Sequence, residues 1–129
     1  RAEWARLAQI KDPAGAAVAE FSAAAGRAIS AGVPKERIVI DPGFGLGKRK
    51  EQNTELLSRR DRLVAIGYPV QVSPSGKPFG TQPQADTNAG LAAAVAFASV
   101  LRGAHIVRTY DVAAIRPAVL LADELMRGA

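Results

Sequence analysis

Three short apolar runs, each followed by a helix-like stretch, limit what this chain can fold into more than any other feature. They are Ile38-Val39-Ile40, Pro69-Val70-Gln71-Val72 and His105-Ile106-Val107-Arg108, and they begin about 31 and 36 residues apart. That spacing is a βα period. A helix between two strands returns the second strand parallel to the first through a right-handed crossover, so the chain reads as α/β with parallel strands. Two architectures satisfy this order. One is a small, open, doubly wound sheet; the other is part of a (β/α)8 barrel, whose usual length is about 250 residues. At 129 residues the chain holds half a barrel at most.

The connecting segments carry ordinary start and stop signals. Residues 1–10 read as helical, with Trp4, Leu7 and Ile10 at plausible spacing. Asp12-Pro13 is a helix start, an N-cap followed by a proline whose missing N–H has no helical partner to lose. Val18, Phe21, Ala25 and Ile29 then recur at helical spacing, and Gly32 closes the helix. A second helix is expected over 52–66, with Leu56, Leu63, Leu57 and Ile66 inward and Gly67 stopping it. A Ser-, Pro- and Gly-rich loop covers 73–84. Asp86 or Thr87 caps a third helix, 88–101, ended by Arg102-Gly103. Asp111 caps a last helix over 112–126, in which Pro117 predicts a kink or a delayed start.

Composition removes several function classes. The chain has no cysteine, which excludes disulfides, thiolate catalysis and cysteine-held zinc or iron–sulfur centres, and fits a reducing cytoplasm. No apolar run reaches the roughly 20 residues that span a bilayer, so no membrane partner is expected. No signal peptide is visible. The chain opens on Arg1 rather than Met, so its native amino terminus is expected to lie upstream. The net charge is +5 with a pI near 10. Aromatic interleaving and a nucleic-acid motif are absent, so a nucleic-acid partner is not expected. The densest basic group, Lys48, Arg49, Lys50, Arg59, Arg60 and Arg62, reads as a solvated helix face. A phosphate-bearing small substrate suits the positive balance.

The first strand ends in Asp41-Pro42-Gly43-Phe44-Gly45-Leu46-Gly47-Lys48. In α/β folds ligands collect at the carboxyl ends of the strands, which makes Asp41 a candidate contact beside its plainer reading as a turn residue. The loop is no P-loop, because Lys48 is followed by Arg49 rather than Ser or Thr, and its glycine spacing is not that of a dinucleotide fold. Asn53-Thr54-Glu55 is no glycosylation signal. His105 has no carboxylate or cysteine companion and reads as structural.

With Ser75-Gly76-Lys77 at the second strand end and Arg108-Thr109-Tyr110-Asp111-Val112 at the third, this glycine loop resembles the last three βα units of dihydropteroate synthase, a folate-pathway (β/α)8 barrel. Asn53, Leu56-Leu57 and Gly103-Ala104-His105-Ile106-Val107-Arg108 also match that family's pattern. The resemblance runs from about Asp12 to Leu125. It implies an α/β fold, the C-terminal part of a (β/α)8 TIM barrel of about three βα units, with 1–129 forming one partial pterin-binding domain. It implies a transferase of folate biosynthesis, joining 4-aminobenzoate to 6-hydroxymethyl-7,8-dihydropterin diphosphate with release of diphosphate. The first five strands, which bring the family's metal- and pterin-contacting Asn and Asp residues, are absent, so this segment contributes no metal ligand and the implied Mg2+ is held elsewhere.

The same resemblance implies residue roles. Asp41, Gly45 and Lys77 would bind the pterin, Asp41 accepting two N–H bonds from its amino-pyrimidine edge. Ser75, Arg108 and Tyr110 would hold the aminobenzoate and diphosphate, and Lys77 and Arg108 would be the catalytic pair. A structural arginine paired with Asp111 is the plainer reading of Arg108. The chain departs from the family pattern at Gly76, where an arginine is expected, at Pro78 and Tyr110 in place of a serine and a histidine, and at Leu46 where an aromatic residue is frequent. Two rivals follow from these losses: a non-catalytic pterin-binding module, and a structural half-barrel that dimerises to cover its edges. A pterin-binding methyltransferase domain is a further alternative. A cytoplasmic homodimer is expected.

Overall fold

The computed structural model describes residues 10–46, 48–75, 78–79 and 89–128. The expected helix over 1–10, its last residue aside, the caps at Asp86 and Thr87 and most of the 73–84 loop lie outside those residues. The described elements are α1 (Pro13–Ser30), a 3-10 turn (Lys35–Arg37), α2 (Lys50–Ser58), α3 (Arg60–Val64), β1 (Gln71–Val72), α4 (Ala89–Leu101), β2 (Ile106–Val107) and α5 (Val112–Arg127).

Helix α1 starts as its sequence dictates. The Asp12 side chain accepts the Gly15 N–H at 2.8 Å, with Pro13 opening the helix. That bond, then the neighbouring Arg62, holds the Asp12 carboxyl below its usual range. The Asp12–Arg62 ion pair at 3.0 Å is exposed on both sides, where water and salt screen it, so it adds little to stability. Val18 and Phe21 pack on a core of Ile40, Leu63 and Val70. Each of those core side chains stabilises the fold by about 1.5–3 kcal/mol through burial. Ile29, on the same stripe by spacing, falls in the last turn of α1 and stays 44% exposed. Gly32, Gly67 and Gly103 follow the ends of the helical segments with positive φ, as expected.

The helix expected over 52–66 begins earlier and is broken. Lys50 opens α2, and Arg59, at φ −104° and ψ 26°, separates it from α3. Leu56 and Leu63 are buried, Leu57 and Ile66 partly so. Arg60 corrects the expectation of a solvated basic face: it is fully buried. Helices α4 and α5 form the most extensive helix pair, burying Val95, Val100, Ile115 and Ala122. Asp111 caps α5 through the Ala114 N–H at 3.0 Å. Pro117 causes no delayed start, since α5 runs unbroken from Val112. Both Pro117 and Ala113 are exposed, so the carbonyl that loses its helical donor has water within reach.

The strands are shorter than their apolar runs. Of Ile38-Val39-Ile40 only Ile40 pairs, in a parallel bridge with Val70. β1 and β2 pair in parallel, Gln71 opposite Ile106 and Val72 opposite Val107. The three strand ends thus lie side by side in chain order, as successive βα units require. Burial on both faces, expected of the first run, fails at Val39, which is 47% exposed. The alternation explains it. Ile40, Val70 and Val72 face the helices and are buried, whereas Val39, Gln71 and Ile106 point to the other face, which no described residue fully covers.

Candidate functional site

The pairing register sets the site. Asp41 follows Ile40 and stands level with Gln71, while Arg108 continues β2 level with Ser73, its N–H donating to the Val72 carbonyl at 2.8 Å. Gln71 and Ser73, two residues apart, project from the same face of the central strand. Each reaches sideways to a neighbour. Gln71 Nε2 donates to Asp41 Oδ2 at 3.0 Å, and Arg108 Nε donates to Ser73 Oγ at 2.9 Å. A carboxylate and a guanidinium from the outer two strand ends are thereby tied to the middle one, on the face turned away from the helices.

The glycine loop behind Asp41 is built from its own polar groups. Asp41 Oδ1 accepts the Gly43 N–H at 2.8 Å, closing an Asx-type turn. Gly43 sits at φ 58°, a left-handed conformation that favours glycine. Asn53, fully buried at the first turn of α2, clasps the loop. Its Oδ1 accepts the Gly45 N–H at 2.8 Å, and its Nδ2 donates to the carbonyls of Lys48 and Arg49 at 3.2 and 2.9 Å. Lys48 Nζ donates to the Gly43 carbonyl at 2.7 Å. Burial pulls the Lys48 ammonium down from its ordinary value, against the opposing charges of Glu20 and Asp41. Phe44 packs edge-on against Phe79, with centroids 5.0 Å apart, which joins the first loop to the second.

The sequence-derived site residues divide unevenly. Asp41 and Gly45 lie in this loop, and Arg108 is on the same face through Ser73. Arg108 is not paired with Asp111, whose carboxylate is taken by the α5 cap. Ser75 is half-buried on the second loop. Tyr110 is fully exposed, and the described residues do not bring it against Arg108. Lys77 lies outside the described residues, as does Gly76. His105 is structural, its Nδ1 accepting the Val70 N–H at 3.2 Å.

Three residues at the site escaped sequence reading. Gln71 sat in an apolar run, and only its alternation with Val70 and Val72 signals that it faces away from the core. Asn53 is matched in the family pattern but carries no local signal for three loop bonds. Arg60 sits among surface-like arginines. Among the described residues no group of three or more His, Cys, Asp or Glu side chains converges as a metal site would require.

Known proteins resemble this chain in sequence and in fold. A family model described as pterin binding enzyme matches residues 2–110. A dihydropteroate synthase of Streptococcus pyogenes is 42% identical over 104 residues, covering 77% of this chain and 39% of the relative. The chain therefore spans about two-fifths of the length of such a relative. A bifunctional folylpolyglutamate synthase/dihydropteroate synthase of Halobacterium salinarum, a probable assignment, is 45% identical over 101 residues, covering 77% of this chain and 12% of the relative. The crystal structure of the Thermus thermophilus dihydropteroate synthase in complex with 4-aminobenzoate superposes with a TM-score of 0.81 at 37% identity, covering 97% of this chain and 52% of that one. The fold is accordingly the C-terminal part of a (β/α)8 barrel, and the open-sheet alternative falls away. With a model match over most of its length and an Asp-Pro-Gly strand end built into a braced loop, the chain belongs to the pterin binding enzyme family.

Proposed function

We propose that this chain is the carboxy-terminal part of a dihydropteroate synthase, which joins 4-aminobenzoate to 6-hydroxymethyl-7,8-dihydropterin diphosphate. The observation that carries the reading is the side-chain bridge across the strand ends, Asp41 to Gln71 and Arg108 to Ser73 on one face. Asp41 offers two oxygens to the amino-pyrimidine edge of a pterin, a flat two-bond match. Binding requires the Gln71 amide to release Oδ2, while the Gly43 bond keeps Oδ1 oriented. Arg108, permanently charged and planar, suits the diphosphate. In the reaction the bond between the pterin methylene and the diphosphate oxygen breaks and the arylamine nitrogen bonds to that carbon. The amine's proton passes to water, and diphosphate departs with the bonding electrons. Stabilising the leaving charge is then the task of Arg108, with Lys77, Ser75 and Tyr110 as its proposed companions. Positioning suffices for the amine.

The implied Mg2+ finds no converging donor set among the described residues. Its ligands belong, on this reading, to the rest of the barrel, and no step above passes through it. The complete protein is proposed to be a cytoplasmic homodimer without nucleic-acid or membrane partners. No helix among the described residues is long and apolar enough to cross a membrane, and Leu121, Leu125 and Met126 expose an apolar face on α5.

The test is calorimetry and turnover with the complete natural protein. Asp41→Asn is expected to weaken dihydropterin binding by about 30- to 100-fold, the loss of a charge-assisted pair. Unchanged binding would overturn the assignment of Asp41. Binding of the pterin with no gain from its diphosphate, and no turnover, would instead favour the non-catalytic module.

A further inference from the structure

Arg60 opens α3 between Arg59 and Arg62, both exposed, yet its own side chain is the largest fully buried one among the described residues. Its Nε, Nη1 and Nη2 are all buried without a hydrogen-bond partner among the described residues. The guanidinium carbon lies 5.1 Å from the centroid of the Phe44 ring, and Phe44 meets Phe79 edge-on at 5.0 Å. The cation therefore sits behind the glycine loop, against the aromatic pair that joins it to the 78–79 turn. Burial pulls its pKa down to about 10, opposed by the charge of Asp41, so it remains charged at neutral pH.

A buried guanidinium with no acceptor among the described residues carries a heavy desolvation burden, and the face of one ring returns only part of it. Methionine or leucine would fill the space without that burden. The charge has a use where the glycine loop is concerned. A cation held against the face of Phe44 fixes that ring, and through Phe79 it fixes the loop that carries Asp41 against the 78–79 turn.

We infer that Arg60 is a positioning residue of the pterin site: stacked under Phe44, it pins the glycine loop, and with it Asp41, to the 78–79 turn. It acts through Phe44 rather than by touching substrate. The inference rests on the reading of Asp41 as the pterin acceptor.

The complete protein is compared with Arg60→Met, which keeps bulk and loses charge, and Arg60→Lys, which keeps charge. Melting temperature is measured alongside calorimetric affinity for 6-hydroxymethyl-7,8-dihydropterin. Arg60→Met is expected to melt no lower than the parent while binding the pterin at least tenfold more weakly, and Arg60→Lys to stay within about threefold of the parent. An Arg60→Met protein with parental affinity overturns the inference. So does a loss that Arg60→Lys shares in full, because shape rather than charge would then be responsible.

A pterin-independent arm is the double-mutant cycle of Arg60→Met with Phe44→Leu, expected to be non-additive by at least about fivefold in the folding equilibrium. Additive effects overturn the pinning. Should the parent protein bind no dihydropterin, the functional reading and the part Arg60 plays in pterin binding fall together, while the cycle still decides whether Arg60 pins the loop.

Discussion

The first and third strand ends carry the two charges of the proposed site, and they are built in opposite ways. At the first, Asp41 stands in a loop whose backbone is fixed by Asn53, Lys48 and its own Oδ1, with Phe44 and Arg60 packed behind it. At the third, Arg108 is exposed and held by one bond to Ser73, and Tyr110 points away from any described neighbour. The heterocycle side is preorganised; the anion side is open. A flat, hydrogen-bond-coded ligand rewards a rigid acceptor, since an acceptor that must be ordered on binding gives up affinity. A flexible diphosphate needs charge within reach more than it needs fixed geometry.

That contrast breaks most directly at Asn53. Asn53→Ala leaves the Gly45 N–H and two carbonyls without their partner in a part-buried setting and empties the space of a fully buried side chain, and is expected to destabilise the protein by about 2–4 kcal/mol. A thermal melt showing less than about 1 kcal/mol would mean that the loop holds its shape without the clasp. The open side predicts a different signature. Arg108→Met is expected to leave the melt unchanged within about 0.5 kcal/mol while weakening the diphosphate-bearing pterin by about tenfold relative to the pterin alone. A large loss of stability there would make the two ends alike.

The smallest effect is a pH slope. The folded state holds Lys48 at a lowered pKa, so between that value and 10.5 the unfolded chain binds more protons and raising the pH stabilises the fold. Below that window the penalty is present in full. Lys48→Met should flatten the slope in urea melts across the alkaline range, and an unchanged slope would assign it elsewhere.

Much of this was legible in the residues. Asp12-Pro13, Gly32, Gly67 and Asp111 marked the helix ends correctly because capping is local: a side chain meets N–H groups two or three residues away, and no distant partner is needed. The βα period and the Asp-Pro-Gly strand end were equally local. The break at Arg59 was not, since nothing in 52–66 interrupts the helical pattern. Pro117 promised a disturbance at the start of α5 that the exposed face of that helix absorbed.

What the sequence determined by itself, then, was the order of the described elements, the caps at Asp12 and Asp111, and Asp41 with Arg108 as charges at strand ends, all set by short-range backbone chemistry and hydrophobic period. The tertiary structure alone decided which polar side chains work together. Register put Gln71 level with Asp41 and Ser73 level with Arg108. Packing turned Arg60 inward, away from the water its neighbours Arg59 and Arg62 keep. Those outcomes depend on residues from different elements meeting across a sheet or beneath a loop, where burial changes what a charge does, and no local pattern encodes such a meeting.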